Sequence, residues 1–174
     1  KALEAYKNSK MSKSYFDWGQ MLENNKNGFY PYTPATNLFY GLNEAINMLL
    51  EEGLDNVFAR HKRLADATRL TVEAWGLEIL AKNPIERSDS ITAIMVPDGH
   101  DSDNLRKIIY DNYNMSLGTG LNKVKSKVFR IGHLGDLNDL SLMGALAGVE
   151  MGLKQSGIPY KSGGIMAAID FLSS

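Results

Sequence analysis

The sequence contains no cysteine, which excludes disulfides and thiolate metal ligands. It has no excess of either charge: 19 lysines and arginines stand against 20 acidic residues, a net charge of −1. That balance leaves no electrostatic case for binding nucleic acid. No apolar run approaches the roughly 20 residues needed to cross a bilayer. The start, Lys1-Ala2-Leu3-Glu4, has neither an initiator methionine nor a signal-peptide pattern. A cytoplasmic location is expected on that ground alone. His61 lies near an apolar stripe without a second histidine or a carboxylate cluster, so it reads as a packing residue, and no metal site is expected.

What is present suits a folded protein. The chain has 174 residues, 44% apolar and 22% charged, enough for one ordinary domain. Lys127 to Asn138 organises the rest. A short apolar strand carrying Arg130 breaks at Gly132 and Gly135, and Asp136 and Asn138 then offer helix starts. A strand that runs over glycines into a helix is a common place for a binding site. Arg130 is a permanent planar cation that matches a carboxylate with two parallel hydrogen bonds. It therefore reads either as a clamp for a small anionic substrate or as an edge-strand arginine pairing with a carboxylate or water. His133 follows on the turn and either faces a substrate hydroxyl or hydrogen-bonds nearby backbone.

Periodicity predicts helices over residues 1–13, 37–51, 54–81, 102–114, 139–156 and 162–173. The helix over 54–81 is expected to stop at Asn83-Pro84. Strands are expected over 90–96, 115–117 and 124–131, with Gly118-Thr119-Gly120 as a turn too short to be a phosphate loop. Thr33 can cap the helix that follows it, with Pro34 at its first position and Thr36 or Asn37 as alternative caps. The aromatic segment Tyr15–Leu22 reads either as a ligand lid or as an arm that docks on a neighbouring domain or subunit. Helices first and strands later predict a helical segment over 1–84, bridging to a larger domain, and an α+β domain over 85–174 with a small, mostly antiparallel sheet.

Several stretches carry a resemblance in one consistent order: Tyr30-Pro31-Tyr32-Thr33-Pro34, Leu117-Gly118-Thr119-Gly120-Leu121, Phe129 through Asn138, and the tail Gly157-Ile158-Pro159 with Gly163-Gly164. Together they resemble the C-terminal part of class V pyridoxal-phosphate aminotransferases of the serine–glyoxylate and alanine–glyoxylate type. The resemblance implies the C-terminal small domain of a fold-type I enzyme. It implies pyridoxal 5'-phosphate as cofactor, and transfer of an amino group from serine or alanine to glyoxylate. Arg130 would hold the substrate carboxylate. Tyr30 and Thr33 would reach the cofactor phosphate held by the other subunit of a homodimer. In such enzymes the lysine that anchors the cofactor lies upstream of the matching region, and no lysine here sits in a context suited to that task. The chain by itself is therefore expected to be inactive. The alternative is a non-catalytic module that dimerises or binds a small anion.

Overall fold

The structure, a computed structural model, describes all 174 residues. It divides into two compact units, residues 1–51 and 52–174.

The first unit is helical. Helix α1 spans Ala2–Asn8, α2 spans Trp18–Asn25, and α3 begins at Thr36 and runs to Glu52. Asp17 starts α2, because its carboxylate accepts the backbone N–H of Gln20 at 3.1 Å and the Tyr6 hydroxyl at 2.5 Å. No residue of 1–51 is buried. The apolar positions of α3 stand open, with Leu38 74% and Tyr40 79% exposed.

The second unit holds the core. Helix α4 (Leu54–Ala74) precedes strands β1 (Glu78–Ile79) and β2 (Ile91–Met95). Helix α5 (Ser102–Tyr113), strands β3 (Gly118–Thr119) and β4 (Val128–Gly132), and helices α6 (Asp139–Ser156) and α7 (Ile165–Leu172) follow. The four strands form one sheet in the order β1-β2-β4-β3, every pair antiparallel. Ile94, Phe129 and Ile131 project from one sheet face into a core completed by Leu64, Val72 and Trp75 of α4 and its C-terminal cap, Leu105 and Ile109 of α5, and Leu142, Leu146 and Leu153 of α6. The expected α+β class and antiparallel sheet are found.

The strand expected over 115–117 is absent, the first helix ends at Asn8 and the strand expected from residue 124 begins at Val128; three further differences have a physical reason. The compact unit starts at Glu52, not at residue 85, because α4 packs into the sheet's core: Leu64, Ala67 and Val72 are fully buried. Helix α4 ends at Ala74, not at 81. Gly76 adopts φ 72, its N–H reaches Glu73 O at 2.9 Å, and Leu77 N–H reaches Val72 O at 3.1 Å. Those two bonds are the glycine stop in which a left-handed residue turns the chain back on the last helical carbonyls. The chain thus freed supplies β1. Finally, Gly118-Thr119 is a strand and not a turn, paired in register with Arg130 and Phe129.

The end of α6 and the start of α7 are tied to α4 by one carboxylate. Glu150 accepts from Trp75 Nε1 at 2.9 Å, from Ile165 N at 3.1 Å and from Gly163 N. Burial acts to raise its pKa, but these hydrogen bonds outweigh burial and hold it below the usual carboxylate value.

Candidate functional site

Strand β4 alternates its side chains. Phe129 and Ile131 enter the core, so Arg130 between them lies on the opposite face. Its neighbours across the sheet there are Ala93 of β2 and Gly118 of β3. Six arginines occur in the chain, and five of them hold carboxylates: Arg60 with Glu52, Arg63 with Asp139, Arg69 with Asp66 and Asp89, Arg87 with Glu73, and Arg106 with Asp103. Arg130 alone has no ion pair. Its Nε is buried with no hydrogen-bond partner. An unpartnered N–H of a permanent cation is costly, on the order of 1–3 kcal/mol or more. The chain supplies this half-buried guanidinium with no acceptor, at Nε or at its terminal nitrogens.

His133 does not share that face. The alternation that puts Arg130 outward puts His133 inward, and its side chain is 0% exposed. Nε2 lies 2.9 Å from Thr92 Oγ1, and Nδ1 lies 2.9 Å from the carbonyl oxygen of Asp89. The carbonyl can only accept, so Nδ1 carries the proton and Nε2 accepts from Thr92. With both nitrogens engaged inside, His133 cannot meet a substrate hydroxyl. The expectation of a substrate contact is corrected to its other reading, a histidine bonded to nearby backbone.

Burial is the main cause that lowers the pKa of His133; the bond to the Asp89 carbonyl opposes it, and the Arg69 charge assists it. A histidine held neutral in the fold contributes stability that is fully present above its unfolded pKa of about 6.5. That stability declines as pH falls from there toward the lower folded value. Urea midpoints should therefore drop as pH falls below about 6.5, and His133→Asn should flatten that slope while lowering stability at pH 7. An unchanged slope would show that another group titrates.

The turn after β4 is held by α4. Arg60, paired to Glu52 through Nε and Nη2 at 2.7 Å each, donates from Nη1 to Gly135 O at 2.7 Å. The adjacent His61 accepts the Gly135 N–H at Nε2, 3.1 Å away, and its Nδ1 donates to Val57 O at 2.7 Å. Both backbone groups of Gly135, at φ 91, are thus taken by neighbouring residues of one helix. Sequence reasoning assigned His61 to packing and missed this clamp, because residues 60–61 and 135 are far apart in the chain.

Strand β3 is fixed from α5. Asp103 accepts from Ser126 Oγ at 2.9 Å, Thr119 Oγ1 at 3.0 Å and Arg106 Nη1 at 2.8 Å. The Ser126 bond is the first cause that holds its pKa below the ordinary value.

Tyr30 and Thr33 belong to residues 1–51. They share a pocket of about 330 Å³ with Tyr15, Met21, Tyr32 and Phe39. Tyr30 stacks on Phe39 at 5.8 Å between ring centres, and Tyr32 on Tyr15 at 5.1 Å. Thr33 does not cap α3, which starts three residues later, at Thr36, so the capping expectation is corrected. The hydroxyls of Tyr30 and Thr33 make no hydrogen bond within the chain, and both residues are exposed. Every lysine is exposed except Lys13, whose ammonium donates to Tyr6 O at 3.0 Å. No group of three or more His, Asp or Glu side chains is placed to hold a metal ion. No helix is long and apolar enough to cross a membrane.

No protein-family model matches the chain. It is 49% identical over 167 residues to a serine–glyoxylate aminotransferase of Methylorubrum extorquens, a match covering 95% of this chain and 42% of that protein. It is 52% identical over 174 residues to a serine–glyoxylate aminotransferase of Arabidopsis thaliana, covering 99% and 43%. The fold superposes with a TM-score of 0.84 on the crystal structure of ureidoglycine–glyoxylate aminotransferase from Bacillus subtilis, at 24% identity, over 99% of this chain and 45% of the other. The chain therefore spans about two-fifths of the length of the curated relatives it matches.

Proposed function

Because the chain belongs to the class V aminotransferases and corresponds to their C-terminal part, we propose that it binds the substrate carboxylate in a transaminase that uses pyridoxal phosphate. The reaction is transfer of an amino group from serine or alanine to glyoxylate, giving glycine and a 2-oxo acid. The observation that carries this reading is Arg130, the one arginine without a carboxylate of its own, with Nε buried and unpartnered.

Donor and acceptor share one feature, a carboxylate beside the reacting carbon. One guanidinium can serve both half-reactions by holding that carboxylate with two parallel bonds. Fixing it also fixes which face of the substrate's α-carbon meets the reacting groups. Bound pyridoxal phosphate supplies the electron sink that makes the substrate's α-proton removable. The free hydroxyls of Tyr30 and Thr33 suit its phosphate, to which each can donate one hydrogen bond. In this reading they serve the partner subunit of a homodimer. Anchoring the cofactor falls to no lysine of this chain, since such a lysine works in a dry, enclosed pocket. Serine is the favoured donor because both relatives described above are named for it. His133, buried in the sheet, contributes nothing to that choice.

The test is an enzyme of the relatives' full length that carries this chain as its C-terminal part. It should form glycine from glyoxylate only when serine or alanine is supplied. The 174-residue chain alone should form none, and borohydride with added cofactor should leave no adduct on its lysines. Donor-independent behaviour of the long enzyme, or an adduct on the short chain, overturns the reading. A small-anion module without turnover would leave both proteins inactive while Arg130 still bound a 2-oxo acid.

A further inference from the structure

We propose that Gly118 is a positioning residue for Arg130: its missing side chain makes the seat on which the guanidinium lies, so that only the terminal nitrogens are offered to the substrate carboxylate. This rests on the reading of Arg130 as the carboxylate clamp.

The argument begins with why a glycine stands there. Gly118 sits in a strand, where glycine costs stability. Its backbone does not call for one, because it is absent from the residues with positive φ. The reason is space. A Cβ built at Gly118 would lie 3.0 Å from Arg130 Cβ, 3.0 Å from Arg130 Nε and 3.5 Å from Cζ. Its three nearest neighbours all belong to that one side chain. Arg130 and Gly118 are direct partners across the sheet, and the partner on the other side is Ala93. Both neighbours are thus small, whereas the flanking residues of β2 on that face, Ile91 and Met95, are large. Small side chains occur where the guanidinium needs room.

The arrangement also accounts for the lone buried Nε. Lying against Gly118, Nε has no access to solvent and no acceptor. The terminal nitrogens take no protein partner and are not among the buried atoms. A carboxylate therefore meets Arg130 end-on, through Nη1 and Nη2. A methyl group at position 118 would press on Cβ and Nε of Arg130 and lie in ordinary contact with Cζ. Arg130 Cβ is fixed by the strand, so Nε must give way by a few tenths of an ångström, and the fork it carries tilts from its target.

The experiment is Gly118→Ala in the full-length enzyme, beside Arg130→Ala and the double variant. KM for the donor amino acid should rise on the order of tenfold with kcat nearly unchanged, since misplacing a binding group by about 1 Å can cost up to about 100-fold. The thermal midpoint should hold. Turnover of an amino alcohol, which lacks the carboxylate, should not change. In the Arg130→Ala background the extra methyl should add nothing. Should Gly118→Ala fail to fold, the double variant should recover stability, because it removes the contact at Nε and keeps only the one at Cβ. An unchanged KM in Gly118→Ala, an equal loss in both backgrounds, or unfolding in both overturns the inference. If Arg130→Ala itself leaves KM unchanged, it is the clamp reading that falls.

Discussion

Arg130→Lys is expected to raise KM for the amino donor and for glyoxylate by about 10- to 100-fold in the full-length enzyme. A hydrogen bond to a charged group contributes about 1.5–3 kcal/mol, and about 1.4 kcal/mol is a factor of ten. Lysine keeps the charge and loses the fork, because a single ammonium cannot make two parallel bonds to one carboxylate. The variant therefore separates attraction from orientation. An amino alcohol donor should be indifferent to the change. Stability offers a second readout of opposite sign. In the folded chain Nε of Arg130 is a buried donor without a partner. Lysine puts a methylene there, so the variant should be as stable as the parent, or more stable by up to about 1–3 kcal/mol. Weaker binding together with unimpaired stability marks a group retained for function. Unchanged kinetics would remove Arg130 from the substrate's contacts.

The second large effect concerns the fold. Trp75 is 0% exposed and the largest fully buried side chain. It closes α4, packs into the core, and donates its indole N–H to Glu150 at 2.9 Å. A Cβ on Gly164 would meet Trp75 Cδ1 at 2.3 Å, so the chain before α7 lies directly against the ring. Trp75→Ala should cost about 3–5 kcal/mol through the cavity and the lost apolar contact. That is a large part of the roughly 5–15 kcal/mol that holds a typical domain together. Trp75→Phe isolates the hydrogen bond. It keeps much of the apolar volume, leaves Glu150 with its backbone donors Gly163 and Ile165, and should cost clearly less. Urea midpoints of the two variants check the order. Equal losses would mean that the Glu150 bond, and not packing, carries the effect.

Much of the fold was legible because it rests on local rules. Helix α6 is found over Asp139–Ser156, as expected, since Asn138 accepts the Ser141 N–H at 2.9 Å and Gly157 turns out at φ 71. Such caps act within a few residues, so the sequence displays them directly. The end of α4 was also written locally, as Gly76 followed by Leu77, but the apolar periodicity continuing past it masked the stop. The strand at Gly118-Thr119 was not legible. Two glycines around a threonine have low strand propensity, and only pairing with β4 makes them a strand.

The amino-acid sequence by itself determined the antiparallel α+β class, the order of helices and strands, and the presence of one arginine on a glycine-broken strand. Tertiary structure decided which of two adjacent candidates keeps a free polar group. Side chains alternate along β4, so a displacement of three residues sends Arg130 to the open face and His133 into the core. No local signal states which sheet face is covered. That depends on α4, α5 and α6 packing against Ile94, Phe129 and Ile131, contacts between residues distant in the chain that exist only once it has folded.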